Sequence, residues 1–285
     1  ATRTGSYRKL FPGVHLRYEV KQGLLLRASY TNSYARPAFG QLYPVTTVSY
    51  NTSTGLGQVT QNNASLVPQF STNYDVSVEY YFEPVGVLSA SYFHKDIKDF
   101  ISSTTAVIDI GPNNGFGGSY EGFDLVTNRN FGSATIEGLE LNYNQQLRML
   151  PKPLNTLAVF ANYTTIETQG NYDGNSDELV RFIPRTANAG LSWRFGKLDL
   201  RAAYNHKSGY LNTYNASPLA RQRVTGVETW DFNAQYSVNP KINFFVDIVN
   251  AFNKWASWYS GSDPGRVIMS EVYGTRLSVG VSGRF

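Results

Sequence analysis

Two arginines two residues apart, Arg221 and Arg223, and a scatter of aromatic residues in polar surroundings are the side chains best suited to hold a ligand. Guanidinium groups present forked donors that match phosphate and other anions. Tyr43, Tyr50, Phe116, Tyr120, Tyr172, Tyr210, Tyr214, Trp258 and Tyr259 offer flat faces, and with nearby Asn and Asp they suit sugar rings. The blander role for such rings is to pack loops or to anchor at a membrane interface, as expected for Trp255. In Asp173-Gly-Asn-Ser-Asp177, oxygens of Asp173, Asn175 and Asp177 recur at every second position, a spacing that calcium loops use. Glu178 stands where such a loop needs glycine, and no distal bidentate glutamate follows, so an ordinary solvated acidic loop is expected.

Catalytic patterns are weaker still. His15, His94 and His206 are far apart and cysteine is absent, which argues against zinc. Gly115-Phe-Gly117 lacks the third glycine and the following helix of a dinucleotide fingerprint. No Ser–His or paired-acid arrangement stands out, so neither an enzyme nor a cofactor is expected. The formal charge of +4 is spread along the chain and gives no footprint for nucleic acid.

The elements that must position these residues are strands. From Tyr273 to Phe285 the chain alternates: Tyr273, Leu277, Val279, Val281 and Phe285 share one face, and Arg276, Ser278, Gly280, Ser282 and Arg284 share the other. The same period of two recurs from Val14 to Val20, Leu24 to Tyr30, Tyr74 to Phe82, Leu88 to Tyr92 and Leu139 to Tyr143. It continues from Leu157 to Tyr163, Ala187 to Phe195, Leu198 to Tyr204, Trp230 to Tyr236 and Ile242 to Ile248. That predicts an all-β chain of about eleven antiparallel strands.

Mean hydropathy is −0.31, and no apolar run approaches the ~20 residues of a membrane helix. Tyr (20), Phe (17) and Gly (25) are nonetheless abundant, as in a barrel whose strands face lipid on one side and water on the other. Short connections at 21–23, 83–86, 149–155, 195–197 and 238–241 take turns with long polar ones at 34–72, 98–132, 168–183, 207–225 and 251–272. Outer-membrane barrels pair tight periplasmic turns with long external loops, and this register puts every long loop on one side. Eleven is odd, so the first and last strands would run the same way and could not close antiparallel. The expectation is the C-terminal part of a larger barrel; a count wrong by one would instead make a complete small porin. The opposite face carries His15, Arg17, Glu19, Arg27, Asp75, Glu79, Glu140, Asp199, Arg201, Asp231 and Asp247. It is read as a mixed-charge wall, with a translocation path as the sharper alternative.

Five stretches resemble the TonB-dependent outer-membrane receptor family: Leu24–Pro44, Ser71–Phe82, Ser91–Ile101, Ala134–Tyr143 and Val246–Asn253. The terminal strand is similar to the assembly signal of outer-membrane proteins, with Ser278, Gly280 and Phe285 in place and Gly283 departing from the usual bulky residue. The resemblance implies that residues 1–285 are the C-terminal half of a 22-stranded barrel, the plug domain and N-terminal strands lying elsewhere. It implies uptake of a siderophore, haem, cobalamin or oligosaccharide with energy from TonB, Arg221 and Arg223 then suiting an anionic siderophore. The implied partners are outer-membrane lipid and lipopolysaccharide, the plug and other barrel half, the TonB complex through that plug, the barrel-assembly machinery and a small-molecule ligand.

Overall fold

The computed structural model describes residues 9–52, 55–172, 175–215 and 217–283. Eleven long strands form one antiparallel sheet in sequence order: β1 (Gly13–Lys21), β2 (Leu24–Ala35), β3 (Gln69–Phe82), β4 (Gly86–Lys98), β5 (Ser133–Gln146), β6 (Ala158–Tyr172), β7 (Arg185–Phe195), β8 (Leu198–Lys207), β9 (Val227–Asn239), β10 (Ile242–Val249) and β11 (Arg276–Gly283). Each strand pairs with its predecessor, and β1 and β11 do not pair with each other, so the sheet is open.

Register follows from hydrophobic alternation, because a one-residue slip would turn every side chain to the wrong face. Tyr18, Leu26, Val78, Ala90, Leu141 and Tyr163 fall in one cross-strand row over β1 to β6. These apolar residues lie on the surface: Leu16 is 65% exposed, Tyr18 66% and Val279 71%, values that would be costly in water and are natural in lipid. Aromatic rings edge the same face near both strand ends. Tyr30 packs on Tyr74 and Tyr204 on Trp230 toward the long loops, with ring centroids 5.3 and 5.1 Å apart. Tyr80 meets Phe82 and Trp193 meets Phe195 toward the short turns, both at 5.5 Å. Two such belts match the two interfaces of a bilayer.

The polar face is tied together by its own charges. Arg27 donates to Glu79 at 2.8 Å, Ser29 to Asp75 at 3.0 Å and Asn188 to Asn162 at 2.7 Å. At two glycines of this face, Gly190 and Gly280, a phenylalanine from the adjacent strand covers the gap. Phe160 lies opposite Gly190 and Phe245 opposite Gly280. A Cβ on Gly280 would come within 2.5 Å of the Phe245 ring, which gives that member of the terminal pattern a packing role. Phe285, the other end of the pattern, lies outside the described residues.

Short turns close one end. At the β1–β2 turn Gly23 has φ +80°, and a side chain there would sit 2.4 Å from the Tyr81 carbonyl oxygen, so only glycine fits. The long connections at the other end are more ordered than loops of their composition suggest. Thr46–Asn51, Leu56–Gln61, Asp124–Asn130 and Ile101–Val107 make one four-stranded sheet, with a parallel pairing between Leu56–Gln61 and Asp124–Asn130. Tyr210–Thr213, Gln222–Val224, Ala256–Ser260 and Val267–Glu271 make a second. Alternation over so few residues is hard to distinguish from polar loop sequence.

Candidate functional site

The site is built at the long-loop end, on the polar face. Strand β6 outruns β7, whose pairing stops at Thr165–Arg185, and continues beside β5 and the short strand Asn175–Asp177. The extension carries Tyr172, which is 2% exposed, into a cluster with Phe100, Phe131, Ala134, Ile136 and Leu179. This apolar knot anchors the connections that overhang the sheet. Burial pushes the Tyr172 hydroxyl up to about 12, and it donates to the Glu178 carbonyl at 3.2 Å.

A latch joins the connection 168–183 to 207–225. Tyr214 stacks on Tyr172 with centroids 4.0 Å apart and planes 10° from parallel. The Arg221 guanidinium lies 5.1 Å from the Tyr214 ring centre, donates to the Asn215 carbonyl at 3.0 Å and pairs with Asp177. Arg223 pairs with Glu178. Both arginines are thus committed to internal carboxylates. Asp177 accepts from Arg221 and also from the Glu178 N–H at 2.8 Å, so both its oxygens are engaged. Asn175 lies in the same short strand, and Asp173 lies outside the described residues.

Beside the latch, beneath the second loop sheet, a cavity of about 760 Å³ opens. Its floor consists of polar-face residues at the ends of β8 to β11: Asn205, Lys207, Thr229, Val249 and Arg276. Its upper wall carries Tyr210, Trp255, Trp258, Tyr273 and Glu271, with Lys254 at the turn after β10. Tyr273 departs from the sequence reading. Tyr273 falls before β11, which begins at Arg276, and Trp255 borders this cavity while about half of its surface, 51%, stays exposed. Residues 272–275 belong to no ladder, which frees Tyr273 from the strict alternation of the last strand.

Asn250 holds the floor in shape. Its φ is +53°, a left-handed conformation that asparagine tolerates better than most residues. Its side-chain amide donates to the carbonyls of Lys254 at 2.8 Å and Gly274 at 3.3 Å and accepts the Lys254 N–H at 2.8 Å. Its own N–H donates to Asp231 at 2.8 Å, and its carbonyl accepts the Thr275 hydroxyl at 2.8 Å. Asn250→Ala loses all three side-chain bonds and forces alanine into the left-handed region, at an expected cost of ~1–2 kcal/mol. Asn250→Gly keeps the backbone conformation and should lose less. The measurement is the urea midpoint of the full-length receptor folded in detergent, followed by tryptophan emission; equal midpoints for wild type and Asn250→Ala would refute the role.

Of the ligand candidates from sequence, Tyr210 and Trp258 line the cavity, while Tyr214, Arg221 and Arg223 make the latch. Tyr259 pairs in register with Arg223. Tyr50 belongs to the other loop sheet and Tyr120 to the connection between two of its strands, and their rings lie 5.9 and 5.7 Å from the Phe123 ring. Lys207, Lys254 and Arg276 were missed. Lys207 and Arg276 stand at strand ends on the polar face, and that parity was the available signal.

The sequence of residues 1–251 matches the family model for the TonB-dependent receptor-like β-barrel. The chain belongs to the TonB-dependent receptor β-barrel family. No curated protein matches significantly. Among solved structures, a mutant of the ferric enterobactin receptor PfeA from Pseudomonas aeruginosa is similar at 19% identity and a TM-score of 0.70, covering 96% of this chain and 40% of that one. The siderophore receptor PirA from Acinetobacter baumannii is similar at 16% identity and TM-score 0.69, covering 96% and 41%. The copper transporter OprC is similar at 15% identity and TM-score 0.66, covering 96% and 39%. At these identities the likeness is one of fold. The TonB-dependent receptor chain spans about 40% of the length of these neighbours. In such barrels the apolar face meets lipid and the polar face the lumen.

Proposed function

We propose that this chain is the C-terminal part of the barrel of an outer-membrane receptor and transporter. The substrate is a scarce nutrient of the siderophore, haem, cobalamin or oligosaccharide class, and its uptake draws energy from TonB through a plug supplied by the rest of the protein. The observation that carries this reading is the coincidence of three features at one end: every long connection, the stacked latch and the cavity lie there, on the lumenal face of a family barrel. Tyr50, Tyr120, Tyr210, Tyr214, Arg221, Arg223, Trp258 and Tyr259 are proposed to border the ligand from the external loops. Arg221 and Arg223 would act mainly by holding two loops together.

The wall partners follow from the two faces: outer-membrane lipid and lipopolysaccharide outside, plug within, and the missing barrel half at the open edges of β1 and β11. Ser278, Gly280 and Phe285 are proposed to be read by the barrel-assembly machinery, and nucleic acid has no place in this reading.

The test is uptake by cells carrying the full-length receptor, offered radiolabelled ferric siderophores, haem, cobalamin and maltodextrin. One of these should bind at the cell surface whether or not TonB is present and enter only when TonB and the proton-motive force are intact. Deleting 210–223 should weaken binding more than altering the turn at 195–197. Uptake that continues in a strain lacking TonB would overturn the transport reading, even with the barrel correct.

A further inference from the structure

We infer that the lipid face carries a site for an anionic phospholipid of the periplasmic leaflet. An acyl chain lies in a groove across β7 to β10, and Lys152, Lys197 and Lys241 hold the phosphate. The inference rests on the receptor reading only for which end faces the periplasm. Cross-strand rows place Trp193, Leu200 and Ala234 in one line and Ala202, Phe232 and Ile248 in the next. The two alanines are diagonal neighbours, because Leu200 pairs with Ala234 and Ala202 with Phe232. Each leaves empty the space of a larger side chain, and a groove of about 360 Å³ opens there between Trp193 and Phe232. It lies on the apolar face, within the membrane span.

The groove leads to the short turns at 149–155, 195–197 and 238–241, each of which holds a lysine and none an acid. Hydrogen bonds fix these turns side by side. The Trp193 indole donates to the Pro153 carbonyl at 3.1 Å, which brings the Lys152 turn against the groove wall. The Thr156 hydroxyl donates to the Arg194 carbonyl and ties that turn to the next. The Lys197 ammonium donates to the Val238 carbonyl at 2.7 Å, and the Ser237 N–H donates to the Lys197 carbonyl at 2.8 Å, so the Lys197 and Lys241 turns are joined as well. Lys197 keeps two further donors. The Lys152 and Lys241 ammonium groups have no ion-pair or hydrogen-bond partner among the described residues, whereas Arg194 is committed to Asp199 at 2.6 Å. Lys197 stands three residues beyond Leu200, about 10 Å along a strand, so one lipid can place its phosphate at the turns and a chain in the groove. Basic side chains beside hydrocarbon favour an anionic headgroup. A zwitterionic lipid would fill the groove but bring its own cation against the lysines. A free phosphate would leave the groove empty.

The probe is phosphatidylglycerol brominated on its acyl chains, mixed at rising fraction into phosphatidylcholine vesicles that hold the full-length receptor. Bromine quenches tryptophan on contact, and the part of the quenching that is lost in Trp193→Phe reports this groove. Phosphatidylglycerol should quench Trp193 at a fraction about threefold lower than brominated phosphatidylcholine does, a preference that fades as salt is raised. The Lys152→Gln, Lys197→Gln, Lys241→Gln triple variant should show no preference, and each single variant a reduced one. Ala202→Leu with Ala234→Leu should fill the groove and lower quenching by both lipids. Lys98→Gln, at the external end of β4, should change nothing. Inorganic phosphate added at constant ionic strength should not compete. Heat-modifiable mobility on gels shows which variants are folded; if the triple variant is not, the single variants and the salt dependence decide. Equal quenching by the two lipids in the wild type overturns the assignment. So does a preference that survives in the folded glutamine variants, quenching unchanged by the two leucines, or displacement by inorganic phosphate. The measurement needs neither TonB nor a nutrient. Failed uptake would therefore sink the transport reading and leave this site standing, while a missing lipid preference would leave transport untouched.

Discussion

Replacing Val279 with arginine is expected to destabilise the folded barrel by ~2–4 kcal/mol, while arginine at the adjacent Ser278 costs much less. Val279 lies midway along β11, pairs with Val246 and is 71% exposed on the apolar face. In a bilayer that exposure is contact with hydrocarbon, and a guanidinium there must lose its hydration or drag water and headgroups inward. Ser278 pairs with Asp247 on the polar face, where an added cation meets a carboxylate and water. The two positions are neighbours in sequence, with the same backbone and nearly the same depth, so their difference isolates the facing. Folding titrations of the full-length protein into lipid vesicles measure it. Equal losses, or a larger loss at Ser278, would mean the faces are reversed.

The isolated 285 residues are expected to form no monomeric, heat-modifiable, protease-resistant barrel in detergent or bilayers, and restoring an upstream half should produce one. The sheet ends at β1 and β11, each with one row of backbone groups unpaired along its outer edge. In lipid each unsatisfied group costs several kcal/mol, so an edge of eight or nine residues is prohibitive unless covered. The two edges cannot cover one another in antiparallel fashion, since an odd number of up-and-down strands leaves β1 and β11 running the same way. Two copies that satisfied their edges mutually would migrate on gels as a dimer. A defined single-channel conductance from the isolated monomer would establish a small porin instead.

The period of two between Val14 and Val281, with Gly, Pro and Asn in the short turns, was enough to name the strands, their faces and their order. Each of these is a local property. A strand buried on one face must alternate, and a two- to seven-residue connection leaves the next strand no partner but its neighbour. The eleven strands and the single-sided long connections accordingly agree with the structure. So does the family resemblance, carried by segments spread along the chain.

The site was much less legible. Arg221 and Arg223 attract notice in sequence as anion binders, yet Asp177 and Glu178, more than forty residues earlier, neutralise them. Tyr273 reads as the next lipid-facing residue of the closing strand, but Gly274 takes φ +75° and the ladder starts only at Arg276. Lys207, Lys254 and Arg276 share no motif. Cross-strand register and the folding of the second loop sheet over the sheet end bring them to the lining of one cavity, and both depend on the order and offset of whole strands. Alternation is dictated by each residue's choice between lipid and water, so the sequence by itself determined the wall. Which charges meet and which stay free depends on distances between residues remote in the chain, and only the tertiary structure decided them.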